Sequence, residues 1–200
     1  MDEIVAAIRA FVGGDMTAPA FRDLLYANAA FEPYLSNDPH LRPGNYVGTG
    51  GVYLYLLQLD YDDPADALNA QGALTDFMDR NGIAYTRTNL YQDMHRMILD
   101  AQPKWLNVDT KYVQEQMMPA AGQRQGDELR EWLRAEFRRR FRCVSALPKW
   151  LQAPAWPIGP NGPLVFLGQV KVSGYFHDEA KVYVFHDAGT GMCETVTQVM

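Results

Sequence analysis

The chain reads as an α+β protein, with a mainly helical body over about residues 1–142 and a small, mostly antiparallel sheet over residues 143–200. Up to Arg142, apolar residues recur at three- and four-residue spacing between capping and stop signals. After Arg142, β-branched and aromatic runs are broken by Gly, Pro and Asp. Residues 143–200 are too few for a thick core of their own. The sheet is therefore expected to pack on the helices within a single 1–200 domain.

Each element follows from local signals. "DEIVAAIRAFV" puts Ile4, Ile8, Phe11 and Val12 on one stripe, and Gly13-Gly14 stops it. In "TAPAFRDLLYAN", Thr17 is the expected N-cap, Pro19 lies in the first turn, and Phe21, Leu24 and Leu25 form the buried face. A Pro- and Gly-rich connection runs from Asn37 to about Gly51. "VYLYLLQL" has strand-like residue types, but its place before another helix favours a buried helix.

"DDPADALNAQGALTDFMDRNG" carries Asp63 as cap, Pro64 at the first helical position and Asn81-Gly82 as terminator, with Leu68, Leu74, Phe77 and Met78 inward. "NLYQDMHRMILDAQ" offers Leu90, Met94, Met97 and Ile98 as its apolar face and stops at Pro103. A short helix capped by Asp109 follows. "GDELREWLRAEFRRRFR" then sets Leu129, Trp132, Leu133, Phe137 and Phe141 in register, with acids early and arginines late, as the helix dipole favours. The strands expected last are "LVFLGQVKV", "KVYVFHD" and "CETVTQV". In the first of these both faces are largely apolar, so it is expected to be covered on two sides.

Charge narrows the function classes. The net charge is −6, and residues 1–123 carry eight Lys/Arg against sixteen Asp/Glu, whereas residues 124–142 carry seven Arg against four acids. An acidic body disfavours nonspecific nucleic-acid binding, and the run Arg138–Arg142 reads as a solvated helix end. No window is apolar and long enough for a membrane span, and the start of the chain lacks an export signal, so a cytoplasmic protein is expected. Cys143 and Cys193 read as free thiols. No residue pattern specifies an oligomeric state.

Motifs of catalysis are missing from the pattern. His177-Asp178-Glu179 and His186-Asp187 border strands and read as turn residues rather than a metal set. There is no Gly-x-Ser-x-Gly, and "GTGG" at Gly48–Gly51 lacks the Lys-Ser/Thr of a phosphate loop. The chain is thus read as a non-enzyme with no cofactor and no metal.

Two groups remain as candidate binding residues. "LDYDDPAD" clusters Asp60, Asp62, Asp63 and Asp66 at one helix start around Tyr61. Capping accounts for part of this, and the excess acid beside an aromatic ring suits docking of a cationic protein. Alternatively, Trp150, Trp156, Gln169 and His186 would line a pocket between sheet and helices for a small molecule or a hydrolytic reaction. The two tryptophans are read first as core anchors, ahead of ligand contacts.

The opening "IRAFVGGDMTAPAFRDLLYANAAFEPYLSND" and the middle "VYLYLLQLDYDDPADALNAQGALTDFMDRNGI", with Met97–Asp109, resemble bacterial immunity proteins of polymorphic-toxin and contact-dependent competition systems. The later "WLQAPAWP", "GPLVFLGQV", "VYVFHD" and "ETVTQV" are similar to YwqG-like proteins, in which an aromatic-Pro lead-in precedes a Pro-Leu-x-Phe-x-Gly-Gln strand. The resemblance implies no cofactor and no catalysis. It implies binding and occlusion of one cognate toxin domain, with the Asp60–Asp66 surface as the expected contact.

Overall fold

The computed structural model describes residues 2–42, 47–48 and 50–200; residues 1, 43–46 and 49, which include part of the Asn37–Gly51 connection and of the Gly48–Gly51 motif, lie outside it. The protein is α+β. Among the described residues, helices α1 (Asp2–Gly13), α2 (Ala18–Ala27), α3 (Phe31–Ser36), α4 (Gly51–Leu57), α5 (Pro64–Arg80), α6 (Leu90–Ala101), α7 (Thr110–Gln116) and α8 (Gly126–Arg140) precede the strands. A two-stranded ribbon of β1 (Ile158–Gly159) and β2 (Gly162–Pro163) leads to an antiparallel sheet ordered β3 (Val165–Lys171), β4 (Ala180–His186), β5 (Cys193–Val199). No described helix is long and apolar enough to cross a membrane.

The chain divides into two compact units, Met1–Arg96 and Met97–Met200. The boundary falls inside α6, well before Arg142, where helical patterning gives way to strand patterning. Helices α7 and α8 therefore group with the sheet. The periodicity of residues shows where helices form but not which helices share a core.

In the first unit, Ile4, Ile8, Phe11 and Val12 of α1 and Phe21 and Leu25 of α2 are buried as their spacing predicts. Phe11 stacks on Phe21 at 4.6 Å between ring centres, and Phe31 meets Phe21 edge-on. Each such ring contributes about 1.5–3 kcal/mol by leaving water. The caps form as expected: Thr17 accepts from the Ala20 N–H and Asp63 from the Ala65 N–H. Gly14, at φ +89°, turns the chain after α1, where a side chain would also press on Thr88. One expectation needs correcting. Leu90 is 54% exposed, whereas Ile98 is buried as expected and is joined by Tyr91 and Ala101, so the inward stripe of α6 begins at Tyr91 rather than at Leu90.

The second unit is organised around Trp156. Its indole lies 5.5 Å from Trp105, 5.6 Å from Phe141 at the end of α8, and 5.2 Å from Phe185 of β4, measured between ring centres. Its Nε1–H donates to the Leu164 carbonyl at 2.8 Å, so the one polar atom of the buried ring is satisfied. In β3, Leu167 and Val170 are exposed, which corrects the expectation that this strand is covered on two sides. A bulge lies between Phe166 and Gly168 in the pairing with β4. It brings Phe166 and Gln169 to the same covered face, opposite Phe185 and Tyr183, and leaves Leu167 and Val170 exposed. Strict alternation would have put Phe166 and Gln169 on opposite faces.

Candidate functional site

The acidic turn ahead of α5 is built largely from hydrogen bonds to its own backbone. Asp66 accepts from the Asp60 N–H at 2.9 Å, Asp60 from the Asp62 N–H at 3.1 Å, and Asp63 caps the helix. Asp62 is exposed and pairs with Arg22 of α2 at 2.8 Å; Arg22 also pairs with the exposed Asp23. Tyr61 is not an exposed ring. It is 2% exposed, its hydroxyl donates to the Leu56 carbonyl at 3.2 Å, and burial pushes its pKa far up. The docking role expected of Tyr61 is therefore corrected: its ring packs in the core, 6.1 Å from Phe21 between centres.

The aromatic side chain on this surface is Tyr26 of α2. It is 56% exposed and close enough to Tyr61 to help raise the pKa of that hydroxyl, after burial itself. Sequence reasoning passed over Tyr26 because it lies outside the acidic run. Its signal was its position on the outward phase of α2, one turn beyond Asp23.

Each of the four alternative residues has partners within the second unit. Trp156 is buried in the aromatic core. Trp150 donates from Nε1 to the Trp105 carbonyl at 3.0 Å and lies 4.4 Å from the Tyr183 ring centre. Gln169 accepts the Lys149 N–H through Oε1 at 2.7 Å. His186 sits in the β4 ladder between Val165 and Cys193, one residue from Asp187. Asp187 accepts from the Gly189 and Thr190 N–H groups, and these bonds hold its carboxyl below the usual range and shape the turn into β5.

These partners give the Pro-rich segment after Pro148 its role. Residues 149–153 form a strap fastened by side chains of the sheet's covered face. The Tyr183 hydroxyl donates to the Lys149 carbonyl at 3.0 Å and accepts the Leu151 N–H at 2.9 Å. Gln198 of β5 accepts the Leu151 and Gln152 N–H groups, each at 3.0 Å, and donates to the Ala153 carbonyl at 2.9 Å. Strap backbone that cannot join a ladder is thus satisfied by buried side chains. Gln198 stands on the inward phase of β5 beside Val196, and a polar residue in that phase was its sequence signal.

The first unit uses the same device. Gln71, fully buried in α5, donates through Nε2 to the carbonyls of Val12 and Thr88, each at 3.0 Å. The nearly buried Asp38 carboxylate accepts from Arg80 at 2.9 Å and from the His40 N–H at 3.1 Å, closing the loop after α3 onto α5. Among the described residues, no three His, Cys, Asp or Glu side chains are placed to hold a metal ion.

A polar concavity lies among the described residues of the second unit. It is an open groove of about 500 Å³ between α7 and the β1–β2 ribbon, with Lys111, Tyr112, Glu115, Arg140 and Asn161 on its walls. Its charges already face one another: Lys111 lies 3.8 Å from Glu115, and Arg140 donates to Glu136. No protein-family model, no curated protein and no solved structure matches this chain.

Proposed function

We propose that the chain is a non-enzymatic immunity protein that binds and occludes one cognate toxin domain, with the acidic first unit as the steering and docking surface. The observation that carries this reading is the charge of that unit: thirteen Asp/Glu against six Lys/Arg, net −7, whereas Met97–Met200 is net +1. Asp23, Tyr26 and Asp62, gathered about Arg22, supply exposed carboxylates and an exposed ring on that unit. Asp60, Asp63 and Asp66 add to the field while shaping the turn. Such a surface raises the encounter rate with a basic partner and adds contact area at its ring. A nuclease toxin fits that chemistry, because a protein that binds a polyanion presents a cationic face.

The test is co-expression with the product of the reading frame adjacent to this one. A stoichiometric complex and rescue of growth are expected. Absence of a complex at micromolar concentration would sink the immunity reading. If a complex forms, Asp23→Lys with Asp62→Lys should slow association at least about tenfold and weaken its salt dependence. An unchanged association rate removes the acidic-surface mechanism and leaves the binding role in place.

A further inference from the structure

From the free edge of β5, we infer that two copies of this chain join there as an antiparallel, two-fold pair, extending the three-stranded sheets into one of six. This goes beyond the toxin-binding reading and does not depend on it. Among the described residues, strand β5 has one neighbour, β4, and the two pair without a bulge over all seven residues from Cys193 to Val199. The Met200 N–H donates to Glu179 and the Met192 carbonyl accepts from Asp187, so the even-numbered residues turn their backbone toward β4. Cys193, Thr195, Thr197 and Val199 turn theirs outward, as the bond from Gln152 Nε2 to the Val199 carbonyl also shows. No backbone hydrogen bond outside the sheet ladder reaches Thr195 or Thr197 among the described residues.

The opposite edge differs. There β3 is bridged by Cys143 at Phe166 and broken by the bulge next to Gly168, and it ends on an exposed lysine, Lys171. Those are devices by which edge strands avoid pairing. Strand β5 has none of them: it holds no Pro and no Lys, and its only charge is Glu194.

The sequence of β5 chooses a second copy of itself over a different occupant. Centred on Val196, the strand read against its own reverse sets Thr195 against Thr197, Glu194 against Gln198 and Cys193 against Val199. No like charges meet, and the Thr–Thr pairs are favourable across strands. The same register places Met192 opposite Met200, two methionines that are 69% and 70% exposed in the single chain. The pairing would thus cover apolar surface at both ends. Thr195 and Thr197 exchange four backbone hydrogen bonds across the axis. At the ends, the Cys193 N–H takes the Val199 carbonyl now held by Gln152, an exchange rather than a gain. The interface is isologous and closes, so it stops at two copies.

Sedimentation velocity from low micromolar to submillimolar concentration should show a monomer–dimer equilibrium. Thr197→Pro removes an outward N–H while leaving the β4 ladder intact, and should weaken the dimer at least about 30-fold. Val196→Cys, in a Cys143→Ser and Cys193→Ser background, should cross-link the dimer under mild oxidation, because residues facing each other across a non-hydrogen-bonded pair lie within disulfide reach. A wild-type chain that stays monomeric throughout overturns the proposal. So does a dimer indifferent to Thr197→Pro, or one that Val196→Cys fails to cross-link. Should Thr197→Pro fail to fold by circular dichroism, the cross-link decides alone.

Discussion

The two compact units solve one problem with different materials. Among the described residues, the regular elements of Met1–Arg96 are all helices, and the unit is strongly acidic and packed from aliphatic residues and phenylalanines delivered by helical stripes. Met97–Met200 is near neutral and builds its core from rings brought together across long stretches of sequence: Trp105, Phe141, Trp156, Phe166 and Phe185. Both then fasten irregular backbone with buried polar side chains: Gln71 and Asp38 in the first, Tyr183 and Gln198 in the second. The difference lies in what holds each unit together. In the first, the element that carries the apolar stripe also carries the fastener, since Gln71 stands in the inward phase of α5. In the second, the strap exists only because a sheet formed elsewhere presents its side chains to it.

The sharpest way to break this comparison is at the centre of the ring cluster. Trp156→Ala should cost about 3–5 kcal/mol, through the cavity left and the Leu164 carbonyl left without its donor. Urea denaturation followed by fluorescence reads it. A cost under about 1 kcal/mol would mean that the second unit is not organised around this ring.

Next in size is Asp38→Ala in the first unit. Asp38 is nearly buried and Arg80 partly so. Removing the carboxylate strands a guanidinium and frees the loop, for about 3 kcal/mol. The double change Asp38→Ala with Arg80→Met should cost less than the single one, and a larger cost would show that the pair is not the cause.

Gln198→Leu keeps the volume and deletes three strap bonds, for about 2 kcal/mol. Its distinguishing readout is hydrogen exchange, which should speed at the Leu151 and Gln152 amides while the β4–β5 amides keep their protection. Gln71→Leu is the matching change in the first unit, with the Thr88 segment as its reporter. If both variants exchange faster everywhere, the fasteners are part of the core rather than additions to it.

The smallest expected effect is electrostatic. The Glu136 carboxylate accepts from Arg139 and from Arg140, and these bonds, led by Arg139 and opposed by burial, pull its pKa from 4.5 down to about 2. A carboxyl lowered on folding stabilises the protein above its unfolded value, and that contribution is lost as pH falls from about 4.5 toward 2. Glu136→Gln should therefore cost about 1–2 kcal/mol near neutral pH and almost nothing near pH 2. Thermal melts of both forms across that range would expose a pH-independent cost, which would count against the ion pair.

Much of the fold was legible because its causes are local. Thr17, Asp63 and Asp109 cap the helices their spacing marked, and Ile4, Ile8, Phe11 and Val12 are buried as their stripe required. The change of grammar after Arg142 marked the sheet. The acidic turn was legible as a cluster, but the inward direction of Tyr61 was not. A tyrosine has an apolar ring and a polar tip, and only the presence of the Leu56 carbonyl and the Phe21 ring decides that it points in.

What the sequence alone determined is most of the helices and the three long strands, several of their caps, and the acidity of the first half, because capping, periodicity and charge act within a few residues; the short α3 and the β1–β2 ribbon left no such signal. The tertiary structure alone decided the division inside α6, the exposure of Leu90, the bulge that turns Gln169 toward Lys149, and the Trp156 cluster. It also decided that β5 is left with an open edge. Each of these depends on groups dozens of residues apart meeting in space, and short-range patterns carry no information about which distant partner a buried group will find.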